Sequence, residues 1–122
     1  MGTLVAYIIT LSMERHVFCD MGKAWGVLHR DYPRLSVLIT LGSKGSVVHK
    51  VTGQDVDSIR QEAITVKAVD TTAAGDTFTG YFIAGIMEGM PLKECMIRAS
   101  KAAAISVTRP GAADSIPWAK EL

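Results

Sequence analysis

The stretch Val69 to Gly80 (VDTTAAGDTFTG) decides the reading of this chain. From Asp70 to Asp76 it holds no large side chain. Upstream, Ala63 to Val69 (AITVKAV) alternates in the manner of a strand. Downstream, Thr77 to Met87 (TFTGYFIAGIM) carries no charge. Phe78, Phe82, Gly85 and Gly89 share one helical face there, with Tyr81, Ala84 and Met87 round the side. That pattern predicts a helix buried on most sides. Gly89 ends it, and Pro91 opens the next helix, where a missing N–H costs nothing. Leu92 to Val107 is amphipathic: Leu92, Met96, Ala99 and Ala103 form one stripe, and Glu94, Arg98 and Lys101 another. Thr108 to Pro117 (TRPGAADSIP) reads as a Gly/Pro loop.

Toward the N-terminus, Asp20 to Tyr32 has helical spacing at Met21, Trp25 and Leu28, with Asp20 as N-cap and Pro33 as stop. Ser36 to Thr40 predicts a buried strand, Gly42 to Gly45 a turn, and Ser46 to Lys50 the next strand. Thr52 to Glu62 is polar and reads as a surface excursion. Leu4 to Met13 reads as a buried strand or an apolar helix start, far short of the roughly 20 residues that span a bilayer. It lacks the flanks of a signal peptide. Strands followed by helices predict an α/β layered fold, and neither repeat nor linker divides the chain.

With 122 residues, 48% hydrophobic and 20% charged, the chain can build a core, which excludes disorder. A net charge of +1 excludes nucleic-acid binding by charge alone. Cys19 and Cys95 lie too far apart for a metal pair; one disulfide is open to them, but the reading is a reduced, cytoplasmic protein. His16, His29 and His49 have no metal-ligand spacing and read as surface or packing residues. Trp25 and Trp118 read as packing anchors, and Met87, Met90 and Met96 as core gap-fillers.

Two loops carry candidate chemistry. A helix start leaves N–H groups unpaired at the positive end of the dipole. Ala73, Ala74 and Gly75 leave room for an anion to reach them. Asp76, in the same turn, is placed to take a proton from a hydroxyl that attacks a phosphate. The competing reading makes Asp76 a favourable helix-start acid and Asp70 a cap. Thr40 to Gly45 (TLGSKG) is no Walker loop, because Lys44 falls at the wrong place. It is either a hairpin corner or a loop bringing amides, the Thr40 hydroxyl and Lys44 to a phosphate.

At these residues the sequence resembles the ribokinase (PfkB-type carbohydrate kinase) family. Val69 to Gly80 is similar to its C-terminal signature, Leu38 to Gly45 (LITLGSKG) to its nucleotide loop, and Ala102 to Ala112 (AAAISVTRPGA) to its closing helix and cation loop. The resemblance covers about Asp20 to Trp118. It implies the C-terminal part of a three-layer α/β/α fold, with Asp76 as catalytic base and Ala73, Ala74 and Gly75 as anion hole. It further implies an ATP site lined by Thr40, Gly42, Ser43, Lys44 and Gly45, with Ser100 facing the adenine or ribose. A K+-type cation would be held by Asp70, Thr72, Ser106, Arg109, Gly111 and Ser115, mostly through backbone oxygens.

The family's Gly-rich sugar-binding stretches, lid strands and Mg2+-linked Asn-x-x-Glu motif lie in an N-terminal part that this sequence does not match, and residues 1–18 match nothing in it. The expectation is therefore one incomplete domain over residues 1–122. It would act with ATP, Mg2+, K+ and a small sugar, without nucleic acid or membrane. An exposed cut edge would favour homo-oligomers. Three readings follow: a sugar kinase part, a catalytically inactive nucleotide-binding fragment without a sugar site, and a purely structural fragment.

Overall fold

The structure, a computed structural model, describes Leu11, Ser12 and residues 21–122. The reading of Leu4 to Met13 (Leu11 and Ser12 apart), the Asp20 cap, His16 and Cys19 lie outside the described residues. The chain divides into two compact units: residues 1–42 with 46–60, and residues 43–45 with 61–122.

The first unit is a sheet with a helix. Its strands are β1 (Leu11–Ser12), β2 (Val37–Thr40), β3 (Ser46–Thr52) and β4 (Asp55–Gln61, whose last residue falls in the second unit), in the order β1-β2-β3-β4. β1 runs parallel to β2, with Leu11 opposite Ile39, while β2 and β3 are antiparallel, with Leu38 opposite Val48. Val37, Leu38 and Ile39 are all buried, so both faces of β2 are covered, as its unbroken β-branched and leucine run predicts. Helix α1 (Met21–Asp31) lays Trp25 and Leu28 on the cluster of Leu35, Val37 and Ile39. Trp25 stacks against both His29 (4.8 Å) and His49 (4.4 Å). Burial pushes the His49 pKa down, and its Nδ1 shares a 2.8 Å hydrogen bond with the Ser58 hydroxyl. These two histidines are packing residues.

The polar segment 52–62, expected as a surface excursion, contains a turn and the strand β4. Gly53, at φ +62°, turns the chain and returns β4 alongside β3. Its apolar residues, Val56 and Ile59, are three apart instead of two, so the alternation that marks a half-buried strand is missing. Most of β4 is exposed, which suits its polar composition.

The second unit is helical. Helix α2 (Ala74–Met87) packs on α3 (Leu92–Val107), and a loop with a short 3-10 turn (Ala113–Ser115) follows. Phe78, Phe82 and Gly85 form the buried face, and Phe78 and Phe82 stack at 6.3 Å. Burying a Phe side chain contributes about 1.5–3 kcal/mol. At Gly85 the helices approach closely: an added Cβ would stand 2.8 Å from the Cys95 sulfur, which would have to shift. Cys95 is a buried free thiol whose sulfur lies 3.3 Å from the Met90 carbonyl. Gly89, at φ +77°, ends α2, and Pro91 precedes α3.

Three expectations fail in this unit. Ala63–Val69 joins no ladder among the described residues, and Ile64, Val66 and Val69 are exposed. Alternation gives a strand its face, but a strand also needs a neighbour to bond. Helix α2 is not buried all round, since Ile83 is exposed and Met87 is 82% exposed. Trp118 is 75% exposed and anchors nothing, whereas Met96 is fully buried.

Candidate functional site

The residue before α2 is Ala73, and its side chain makes no capping bond. Ser, Thr, Asp or Asn there would accept a hydrogen bond from the second or third helical amide, worth about 1 kcal/mol. Those amides belong to Gly75 and Asp76, and neither finds an acceptor among the described residues. The Ala74 amide reaches Thr71 O at 3.3 Å, and the Thr77 amide reaches Ala73 O at 2.9 Å. Ala73 is buried while Gly75 and Asp76 are exposed. The Asp76 carboxylate is exposed beside them. This is the helix start that the small-residue loop predicts.

Asp70 caps no helix. Its carboxylate accepts hydrogen bonds from the Thr72 amide (2.9 Å), from the Thr72 hydroxyl, and from the Gly111 amide (3.1 Å). It thereby ties the approach to α2 to the loop after α3. The Val69 and Asp70 amides add two bonds to Val107 O, at 2.7 and 3.1 Å. The Thr72 hydroxyl first, then the Thr72 and Gly111 amides, hold the Asp70 carboxyl below the usual carboxylate range. A lowered folded pKa means that this tie stabilises the fold above the unfolded carboxylate pKa and is lost as pH falls through the lower folded value. Asp70→Asn turns one acceptor oxygen into a donor, so the Gly111 amide is expected to exchange faster with solvent at neutral pH. Unchanged exchange would show that the tie does not hold the loop.

The other expected cation residues gather at the same place. The Ser106 and Ser115 hydroxyls lie 3.0 Å apart, both buried. The Arg109 guanidinium instead pairs with Glu121, whose carboxylate also accepts the Trp118 amide at 2.6 Å. Arg109 therefore offers a cation only its carbonyl. Asp70, Thr72, Ser106, Arg109, Gly111 and Ser115 present oxygen and nothing softer, which fits a hard alkali cation. Because the two serine hydroxyls bond each other, backbone oxygens would supply most ligands. Among the described residues no group of three His, Cys, Asp or Glu could cage a divalent metal.

Ser43, Lys44 and Gly45 belong to the same unit as α2, while Thr40 and Gly42 belong to the first. Gly42 to Lys44 form a 3-10 turn, and Gly42 (φ +58°) and Gly45 (φ +95°) are both left-handed. Ser100 is buried on α3. Sequence reasoning missed Glu121 and Thr77. Thr77 stands inside the quoted stretch, and its hydroxyl lies 3.4 Å from Ser106 Oγ.

Solved structures share this architecture. The chain superposes on the ribokinase of Arabidopsis thaliana complexed with ribose and ATP at a TM-score of 0.75 and 33% identity, covering 90% of this chain and 37% of that one. The fold is thus a partial ribokinase-like α/β fold. The chain belongs to the pfkB family of carbohydrate kinases, whose pattern matches residues 25–119. It is 51% identical over 84 residues to the ribokinase of Schizosaccharomyces pombe, covering 69% of this chain and 26% of that protein. It is 41% identical over 99 residues to that of Haemophilus influenzae, covering 81% and 31%. The chain thus spans roughly a quarter to a third of these curated relatives. No helix among the described residues is long and apolar enough to cross a membrane.

Proposed function

We propose that this chain is the nucleotide-binding and proton-accepting part of an ATP-dependent sugar kinase. The observation that carries the reading is the uncapped start of α2, with two unsatisfied amides beside the Asp76 carboxylate. Family membership supports it. A sugar hydroxyl gives its proton to Asp76 as its oxygen bonds the γ-phosphorus, and the bond from that phosphorus to the bridging oxygen breaks to release ADP. The turn Ala73–Gly75 and the amides of Gly75 and Asp76 stabilise the charge on the phosphoryl oxygens. Within the unit that holds α2, Ser43, Lys44, Gly45 and Ser100 are the residues assigned to the nucleotide. Asp70, Thr72, Ser106, Arg109, Gly111 and Ser115 would hold a K+-type cation, which would supply positive charge to the phosphoryl-binding region.

The test is a calorimetric titration of a non-hydrolysable ATP analogue with magnesium, once in potassium and once in sodium. The expected affinity is about −8 to −4 kcal/mol, stronger in potassium. No binding in either salt would overturn the reading. The second reading is an inactive nucleotide-binding fragment without a sugar site. Analogue binding without ADP release in the presence of ribose would select it.

A further inference from the structure

We propose that Ser106 is a positioning residue, the middle of a one-directional chain of buried hydroxyls that holds the first turn of α2 in register with the Gly111–Ser115 loop. The proposal rests on the reading of that turn as the phosphate-holding element. Thr77, Ser106 and Ser115 are 2%, 1% and 0% exposed. Their direction follows from counting protons. The Ser115 hydroxyl donates to Ala112 O at 2.6 Å, so its oxygen must accept at 3.0 Å from Ser106. Ser106 has then spent its proton and accepts at 3.4 Å from Thr77. The chain therefore runs from α2 through α3 to the carbonyl of the loop.

Packing alone does not call for this arrangement. Small apolar residues would fill the crossing, as Ala99 and Ala102 do on the same helix. A buried hydroxyl is costly unless its partners stand at the right distance and angle, so a chain of three specifies position in a way that contact between methyl groups does not. The chain also has a counterpart. Thr72, just before Ala73, is tied through Asp70 to Gly111, and Thr77, just after Asp76, is tied through Ser106 to Ser115. One loop thus grips the span Ala73–Asp76 at both ends.

The test uses the whole chain with Ser106→Ala, and with Thr77→Val, which keeps the shape of its residue if the first variant fails to fold. Backbone amide NMR signals of Gly75 and Asp76 are recorded without nucleotide, and the affinity for the ATP analogue is measured in potassium. Both variants are expected to move those two signals and weaken the analogue about fivefold, the effect of one ordinary hydrogen bond. The double variant should be no weaker than either single one, because a chain broken once is already broken. Additive losses, or Gly75 and Asp76 signals that stay in place, would overturn the proposal. If the unmodified chain binds no analogue, the kinase reading fails, and the amide signals still decide whether Ser106 positions the turn.

Discussion

Asp76→Asn is expected to abolish sugar-dependent ADP release, a fall of about 100- to 10,000-fold, while the ATP analogue still binds. The change is nearly isosteric and leaves the backbone amides of Gly75 and residue 76 where they are. Asparagine has no carboxylate with which to take the hydroxyl proton, so the chemical step loses its base. The phosphate site loses a negative neighbour, so analogue affinity should stay within a few-fold or improve slightly. The check is an ADP-coupled assay of the chain with ribose in potassium, beside calorimetry on the same preparation. Release that survives in the Asn variant would sink Asp76 as the base. Loss of analogue binding together with release would show instead that the carboxylate holds the turn together.

The second large effect falls at Gly45. A Cβ on this residue would stand 2.1 Å from the Gln61 carbonyl oxygen, 2.9 Å from Glu62 Cα and 3.0 Å from the Ala63 nitrogen. All three are backbone atoms, so no side chain can swing aside. The backbone also sits at φ +95°, where an L side chain is strained. Strain of about 1–3 kcal/mol and overpacking of about 1–3 kcal/mol together predict that Gly45→Ala costs about 2–6 kcal/mol. That is a large share of the roughly 5–15 kcal/mol that keeps a domain folded. Gly53→Ala is the control, because Gly53 is also left-handed (φ +62°) but has nothing within 4 Å of the added carbon. Denaturant unfolding followed by circular dichroism should separate the two variants clearly. Equal costs would show that the crowding around Gly45 relaxes.

Much of the helical unit was legible in the sequence because its signals are local. The small residues from Asp70 to Asp76, the uncharged run after them, and Gly89 with Pro91 place both ends of α2 without reference to anything distant. The same holds for β2, whose Val-Leu-Ile run is buried on both faces. The failures all depend on neighbours. Ala63–Val69 alternates like a strand but meets no ladder partner among the described residues, and the hairpin at Gly53 turns a polar segment into β4. Met87 and Trp118 look like core residues until the structure shows their surfaces open. The site divides in the same way. The uncapped helix start could be read from its small residues, and the three motifs that resemble the family's supplied the kinase reading. The Asp70–Gly111 tie spans 41 residues and the Thr77–Ser106 contact 29, separations at which spacing carries no information.

The absence of a cap at Ala73 has a thermodynamic consequence. Most helices find partners for their leading amides within their own sequence, so their stability is indifferent to what drifts past. Helix α2 leaves that position open, so an anion bound there would stand in for the missing N-cap side chain. Folding and recognition would then draw on the same two hydrogen bonds. Whatever occupies the turn should raise the temperature at which the chain unfolds, in proportion to the logarithm of its concentration above the dissociation constant. Occupancy would thus be written into heat resistance, and would be readable there even if not one phosphoryl group were transferred.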